Sequence, residues 1–226
     1  MKVPYTEYKN KYGKYCVPDK HENPASRAIR SGNIFEPNTI KFIIENVEGD
    51  MIHAGTYFGD MIPVFAKHAN KVWAFEPSPI NFYCAQKTTE LNDVENIELQ
   101  NFALSDTSGQ SLQFVIKRNN KFLGGMSRIL KAEKSDSMET VQVKTIRIDE
   151  VIPDSSNISI IQLDVEGHEF EALKGGAETI KRCRPIIIFE VNSDTPHNEL
   201  KSWLNDLGYE FKMHVHKNEV WKPINK

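Results

Sequence analysis

The run Gln162-Leu163-Asp164-Val165-Glu166-Gly167-His168-Glu169 sets two carboxylates at alternate positions, with a histidine two residues on. Alternation aims Asp164 and Glu166 at one face of a strand end. Either, or His168, could take the proton of a hydroxyl while a bond forms at its oxygen, worth about a hundredfold or more in rate. A plainer arrangement makes Asp164 a helix cap and leaves His168 and Glu169 as solvated first-turn residues. Asp164 and Glu166 suit chemistry better; His168 suits both equally. Glu190 closes another apolar run and Asn192 follows on the same side. Asp164, Glu190 and Asn192 could give oxygen ligands to a hard divalent cation, which would polarise an acceptor hydroxyl. Glu190 and Asn192 serve equally well in binding acceptor hydroxyls, and no resident metal is expected.

A second constellation suits a nucleoside. His53-Ala54-Gly55-Thr56-Tyr57-Phe58-Gly59-Asp60 brings two glycines to a loop, where they allow positive φ and close backbone approach. Unpaired N–H groups at the start of the helix beyond could hold a carboxylate or phosphate. Glu76 follows Gly55 by twenty-one residues, at the end of the next apolar run. An acid so placed can accept both hydroxyl hydrogens of a ribose. Phe102 and Ala103 could flank an adenine, with Asp106 nearby to read its edge. A dinucleotide fingerprint, Gly-x-Gly-x-x-Gly, is incomplete here, and Tyr57 would crowd a diphosphate. An amino-acid tail with a sulfonium tolerates the loop better, so S-adenosylmethionine is the preferred cofactor. A nicotinamide-dependent oxidoreductase and a non-catalytic module on the same sheet stay open. His53 reads more readily as a core histidine than as a catalyst.

The elements that must position these residues alternate along the chain. Short apolar runs at Met51–Ala54, Lys71–Phe75, Ile97–Asn101, Ile158–Asp164 and Pro185–Val191 read as strands. Helical patterns follow at Asp60–Ala69, from Ser78 to Asn92, from Glu169 toward Arg182 and at His197–Leu207. Ser111–Ile116 and Val141–Ile148 read as further strands, and Lys117–Ser137 between them as a mobile loop. Two last strands, Tyr209–His214 and Glu219–Trp221, form a hairpin. Such alternation predicts an α/β fold: a mostly parallel sheet with helices on both faces and one reversed strand from the terminal hairpin. Ligands then bind beyond the carboxyl ends of the strands, where the functional residues fall.

With 226 residues, the chain suffices for one sizeable domain. A net charge of −3 gives no general pull toward nucleic acid or an anionic membrane. No apolar run is long enough to span a bilayer, and the first residues lack the pattern of a signal peptide. Three scattered cysteines suggest the reducing cytoplasm and no structural zinc.

In order, Ile34-Phe-Glu-Pro37, Ile52-His-Ala-Gly-Thr-Tyr-Phe-Gly59, Ala74-Phe-Glu-Pro-Ser78, Asn101-Phe-Ala-Leu-Ser-Asp106, Leu163-Asp-Val-Glu-Gly-His-Glu169 and Ile188-Phe-Glu-Val191 make the sequence resemble the FkbM-type methyltransferases. The resemblance spans residues 34 to 192. It implies a Rossmann-like seven-stranded sheet with its last strand reversed, and S-adenosylmethionine-dependent O-methylation of a small-molecule or carbohydrate hydroxyl. Residues 34–226 would form the methyltransferase domain, and 1–33 an N-terminal extension that either covers the site or makes a contact between subunits. By the same resemblance Gly55 and Gly59 line the methionine tail, Glu76 holds the ribose, and Phe102 and Ala103 flank adenine; His53, Thr56, Tyr57, Asp60 and Asp164 complete the expected cofactor-binding set. Asp164 and Glu166 face the transferred methyl. Gly124-Gly-Met-Ser127 stands where the family has an acceptor loop, which adds Met126 and Ser127 to Glu190 and Asn192 as acceptor-binding candidates. The family usually has an acid in place of His53 and an asparagine in place of Tyr57. Asp60 could replace the missing acid at the methionine amine.

Overall fold

The computed structural model describes residues 3–131, 133–191 and 197–224. The chain opens with strands β1 (Tyr5–Asn10) and β2 (Gly13–Pro18), paired antiparallel, then helices α1 (Pro24–Arg30) and α2 (Pro37–Asn46). Next come β3 (Asp50–Ala54), α3 (Ile62–Ala66), β4 (Val72–Phe75), α4 (Pro79–Leu91) and β5 (Ile97–Gln100). The middle holds β6 (Ala103–Leu104), β7 (Ser111–Arg118), β8 (Lys121–Phe122), β9 (Arg128–Ile129), β10 (Met138–Ile146) and α5 (Ile148–Val151). It closes with β11 (Ile158–Leu163), α6 (Glu169–Lys174), α7 (Ala177–Cys183), β12 (Ile186–Glu190), α8 (His197–Asp206), β13 (Tyr209–Val215) and β14 (Asn218–Pro223).

The central sheet has seven strands in the order β13-β14-β12-β11-β3-β4-β5. β14 is antiparallel to both neighbours, and every other pairing is parallel. This is the predicted Rossmann-like α/β sheet with its last strand reversed. Strand alternation divides the core. Ile52, Phe75, Leu163 and Phe189 face one helical layer, whereas Met51, Ala74, Ile160 and Ile188 face the other with Ile40 and Phe65. Burial on both faces explains why these runs are almost wholly apolar. From β3 the chain steps outward through β4 to β5 and returns on the other side of β3 at β11. The loops after β3 and β11 therefore diverge at a switch point and leave a crevice.

Four expectations change. The strands at 111–118 and 138–146 leave the central sheet and pair with each other in a second sheet with β6, β8 and β9. Residues 117–137, expected as a mobile loop, carry β8, β9 and a 3-10 turn at Gly124–Met126, with residue 132 outside the described residues. The helix expected from 169 toward 182 breaks at Gly175-Gly176. A Cβ on Gly175 would lie 2.0 Å from the Ser105 carbonyl oxygen, so the backbones touch there and the helix must restart. The helix after Gly59 is also short, covering Ile62–Ala66.

Residues 5–33 pack onto α4. The Cys16 N–H donates to Thr88 Oγ1 at 3.0 Å and the Lys14 N–H to Asn92 Oδ1 at 2.9 Å. Tyr15, Val17, Ile29, Tyr57, Phe58 and Cys84 form one buried cluster. Among the described residues no helix is long and apolar enough to cross a membrane.

Candidate active site

The crevice depends on one close approach. Gly55 has φ of 80°, and a Cβ there would sit 1.8 Å from the Asp164 carbonyl oxygen, so the ends of β3 and β11 meet only because residue 55 has no side chain. Tyr57 also has positive φ, 54°, conformationally costly for a non-glycine residue. Its N–H donates to Glu76 Oε2 at 2.8 Å, which fastens the strained loop to the end of β4. Thr56 is turned inward and donates to the His53 and Phe75 carbonyls. A Cβ on Gly59 would press on Ile62 at 3.0 Å, and Ala85 and Thr88 lie just beyond, so this glycine serves helix packing.

Two cavities meet at Gly55, Gly125 and Asp164. The first is lined by Glu76, Asn81, Phe102, Ala103, Ser127 and His168, among others. Its apolar end is formed by Phe102, Ala103, Leu104 and Phe114. Glu76 is 4% exposed. Its Oε1 accepts the Ser78 N–H at 2.8 Å and the Asn81 amide at 3.4 Å, whereas among the described residues Oε2 receives only the Tyr57 N–H. A carboxylate oxygen has room for two donors, so Oε2 keeps capacity for a ribose hydroxyl. Burial pushes the Glu76 carboxyl up to about 7. His168 lines this cavity as well, bonded to Ser105 Oγ at 3.1 Å, with its basicity lowered by burial. Asp106 does not line it and instead pairs with Lys174 at 3.0 Å.

The second cavity, about 1070 Å³, is the more acidic. Glu36, Asp60, Asp164, Glu166 and Glu190 all line it, with His53, Tyr57 and Met126. Oxygens of Asp164, Glu166 and Glu190 lie within 4.8 Å of one another. The cation-binding set drawn from the sequence thus gains Glu166, and Asn192 lies outside the described residues. Burial, then Glu190 and Glu166, raise the Asp164 carboxyl well above its ordinary value, and its Oδ1 is buried with no hydrogen-bond partner. Burial and the neighbouring Glu190 push Glu166 up to about 7. Asp60 rises to about 7 through burial. His53 is 2% exposed and bonded through Nδ1 to Gln162 Oε1; burial lowers it to about 4, so it is neutral. Lys217 stands 3.6 Å from Glu190 and His216 3.1 Å from Glu36 at the rim.

Of the residues singled out in the sequence, the structure puts Glu76, Phe102, Ala103, Ser127 and His168 at one cavity and His53, Tyr57, Asp60, Met126, Glu166 and Glu190 at the other, with Gly55 and Asp164 at their junction. Glu36, Asn81, Gln162 and Lys217 received no role. Glu36 stood in the Ile34–Pro37 motif, the one signal that could have flagged it.

The sequence pattern of the Methyltransferase FkbM domain matches residues 53–211. The chain belongs to the FkbM methyltransferase family. It is a methyltransferase by family, and the nicotinamide alternative falls. The hexuronic acid methyltransferase AglP of Haloferax volcanii is 24% identical over 176 residues, 76% of this chain and 68% of that protein. Among solved structures, an FkbM methyltransferase from Methylobacillus flagellatus matches with a TM-score of 0.53 at 17% identity, covering 84% of this chain and 48% of that one. This chain therefore spans about half of that relative. A Streptococcus mutans protein in complex with SAH matches with a TM-score of 0.51 at 10% identity, covering 81% and 93% of the two chains. At these identities the two structures attest the fold.

Proposed function

We propose that this FkbM-family protein methylates a hydroxyl oxygen of a carbohydrate or similar small acceptor, with the nucleoside in the first cavity and the methionine tail and acceptor in the second. The observation that carries this assignment is the set of five carboxylates around the second cavity. A cofactor with a sulfonium and an ammonium suits such walls, whereas a diphosphate-bearing dinucleotide would be repelled. Glu76 Oε2 would hold the ribose, Phe102 and Ala103 the adenine, and the orphaned Asp164 Oδ1 would face the reacting groups. Asp60 and Glu36 would receive the ammonium. Asn23 and His21, the latter 2.9 Å from the Tyr57 hydroxyl, would close the site from the N-terminal segment.

When bound, the cofactor supplies an activated methyl and a neutral thioether leaving group. The protein aligns the acceptor oxygen and removes its proton. Glu166 is the group for that proton: at about 7 it is substantially ionised at neutral pH and basic enough to accept it. Asp164, held protonated, would position the acceptor and share a proton with Glu190. An acceptor carboxylate would need no base and would meet charge of its own sign here, which favours a hydroxyl. The hexuronic acid named for the Haloferax relative has both groups. Incubation with ¹⁴C-methyl-labelled adenosylmethionine and a glucuronic acid-containing oligosaccharide mixture tests this choice. Label stable to mild alkali identifies a methyl ether and supports the assignment; alkali-labile label identifies a methyl ester and ends it.

A further inference from the structure

Resting on the proposed acceptor site, we propose that the acceptor carries a phosphate or diphosphate ester remote from the methylated hydroxyl, and that a basic groove beside the acceptor cavity binds it. The groove is lined by Lys20, Arg27, Arg118 and Lys121, with Phe122 and Leu123 as apolar steps. All four cationic residues are exposed. Among the described residues, Lys20, Arg118 and Lys121 have no carboxylate partner, and Arg27 donates only to the Glu22 carbonyl, at 2.6 Å. The two other charges on the groove wall are already matched, Glu22 by Arg30 at 2.7 Å and Lys117 by Glu139 at 2.6 Å. In a chain of net charge −3, this concentration of unmatched positive charge is local.

Continuity ties the groove to the reacting centre. Met126, 47% exposed, lines the groove, the acidic cavity and a third hollow between them. That hollow is lined by Glu166, Arg128 and Arg118. The walls therefore run from acidic at depth to basic outside. A neutral hydroxyl-bearing end can enter among the acids, while an anionic end is repelled from depth and held outside. The polarity would orient the acceptor before any specific contact forms. One carboxylate would balance one of the unmatched cations; a diphosphate balances two or more, and arginine offers it paired donors. The turn Asn119-Asn120, with φ of 51° and 60°, is a tight hairpin of the primed kind that fixes Arg118 opposite Lys121. The backbone pairing thus sets the two cations opposite one another.

The test is calorimetric titration of the full chain with inorganic pyrophosphate, with uridine diphosphate glucuronate, and with a polyprenyl diphosphate in phosphatidylcholine vesicles. Pyrophosphate should bind, more weakly at high salt, and R118A/K121A should weaken it by about tenfold. A tighter fit of the nucleotide sugar or of the lipid would support the groove and tell which carrier presents the diphosphate. Adenosylhomocysteine affinity should be the same in wild type and variant; its absence in both would break the methyltransferase site and leave the groove result standing. No pyrophosphate binding, or binding indifferent to the double substitution, overturns the proposal.

Discussion

Glu76 is held by two backbone N–H groups and an amide, yet it is buried and raised to about 7, so it is partly protonated near neutral pH. As pH rises through 7 it becomes a better acceptor for ribose hydroxyls, and adenosylhomocysteine affinity should rise with it. E76Q keeps one acceptor oxygen but cannot serve the Tyr57 N–H, the Ser78 N–H and a sugar together. Its affinity for adenosylhomocysteine should fall by about 1.5–3 kcal/mol, the worth of a hydrogen bond to a charged group, as read by calorimetry. Unchanged affinity would remove the ribose contact. E166Q should lower turnover by about a hundredfold or more while binding adenosylhomocysteine nearly as well as wild type. In the wild type, turnover should climb with pH to a plateau above 7; a flat profile would show that Glu166 does not take the proton. Glu76, Asp164 and Glu166 were legible because strand ends advertise themselves: an apolar run stops and an acid follows. Glu36 was not, because it closes on the site from a helix start 128 residues before Asp164, and only folding brings them together.

At the scale of elements, the crevice exists because β3 and β11 approach until one backbone touches the other. G55A should destabilise the fold by about 2–4 kcal/mol, since the new methyl overlaps the Asp164 carbonyl and φ is positive as well. Gly109 is the control: its φ is 78° but nothing lies within 4 Å of its would-be Cβ, so G109A should cost only about 1–2 kcal/mol, the left-handed penalty alone. Urea melts of the two variants separate clash from conformation, and equal midpoints would deny the close approach. The buried parallel strands could be read from the sequence because burial on both faces leaves an unbroken apolar signature. The β1–β2 hairpin carries no such mark. Its first strand is polar and at most half-buried, and in β2 only Tyr15–Pro18 are buried, a run too short to separate from a loop. The second sheet was hidden for a related reason: β7 and β10 were recognisable as strands, but their pairing is a tertiary fact.

Across the whole molecule, the groups that favour a cationic cofactor are unfavourable neighbours without it. Asp60, Glu76 and Glu166 titrate near 7 in the fold and Asp164 is raised too, all pushed up first by burial. Unfolded, each ionises near its ordinary carboxylate value, so the fold binds more protons and loses stability as pH rises toward and through 7. His21 and His53, lowered to about 4 by burial, act oppositely but only below about 6.5, where the unfolded chain takes up their protons first. The two effects oppose one another between about 4.5 and 6.5, and above that range the acids act alone. The melting temperature of the ligand-free protein should therefore fall from about pH 6.5 to 8, and E166Q should flatten the fall. A melting temperature that climbs across this window would contradict the enclosed acidic cluster.

A crystal structure of the protein soaked with adenosylhomocysteine tests the assignment of the two cavities most directly. It should show the ribose hydroxyls at Glu76, adenine beside Phe102 and Ala103, and sulfur at the junction near Gly55 and Asp164, pointing into the acidic cavity. Density for the nucleoside elsewhere, or a sulfur turned away from Asp164 and Glu166, would contradict it.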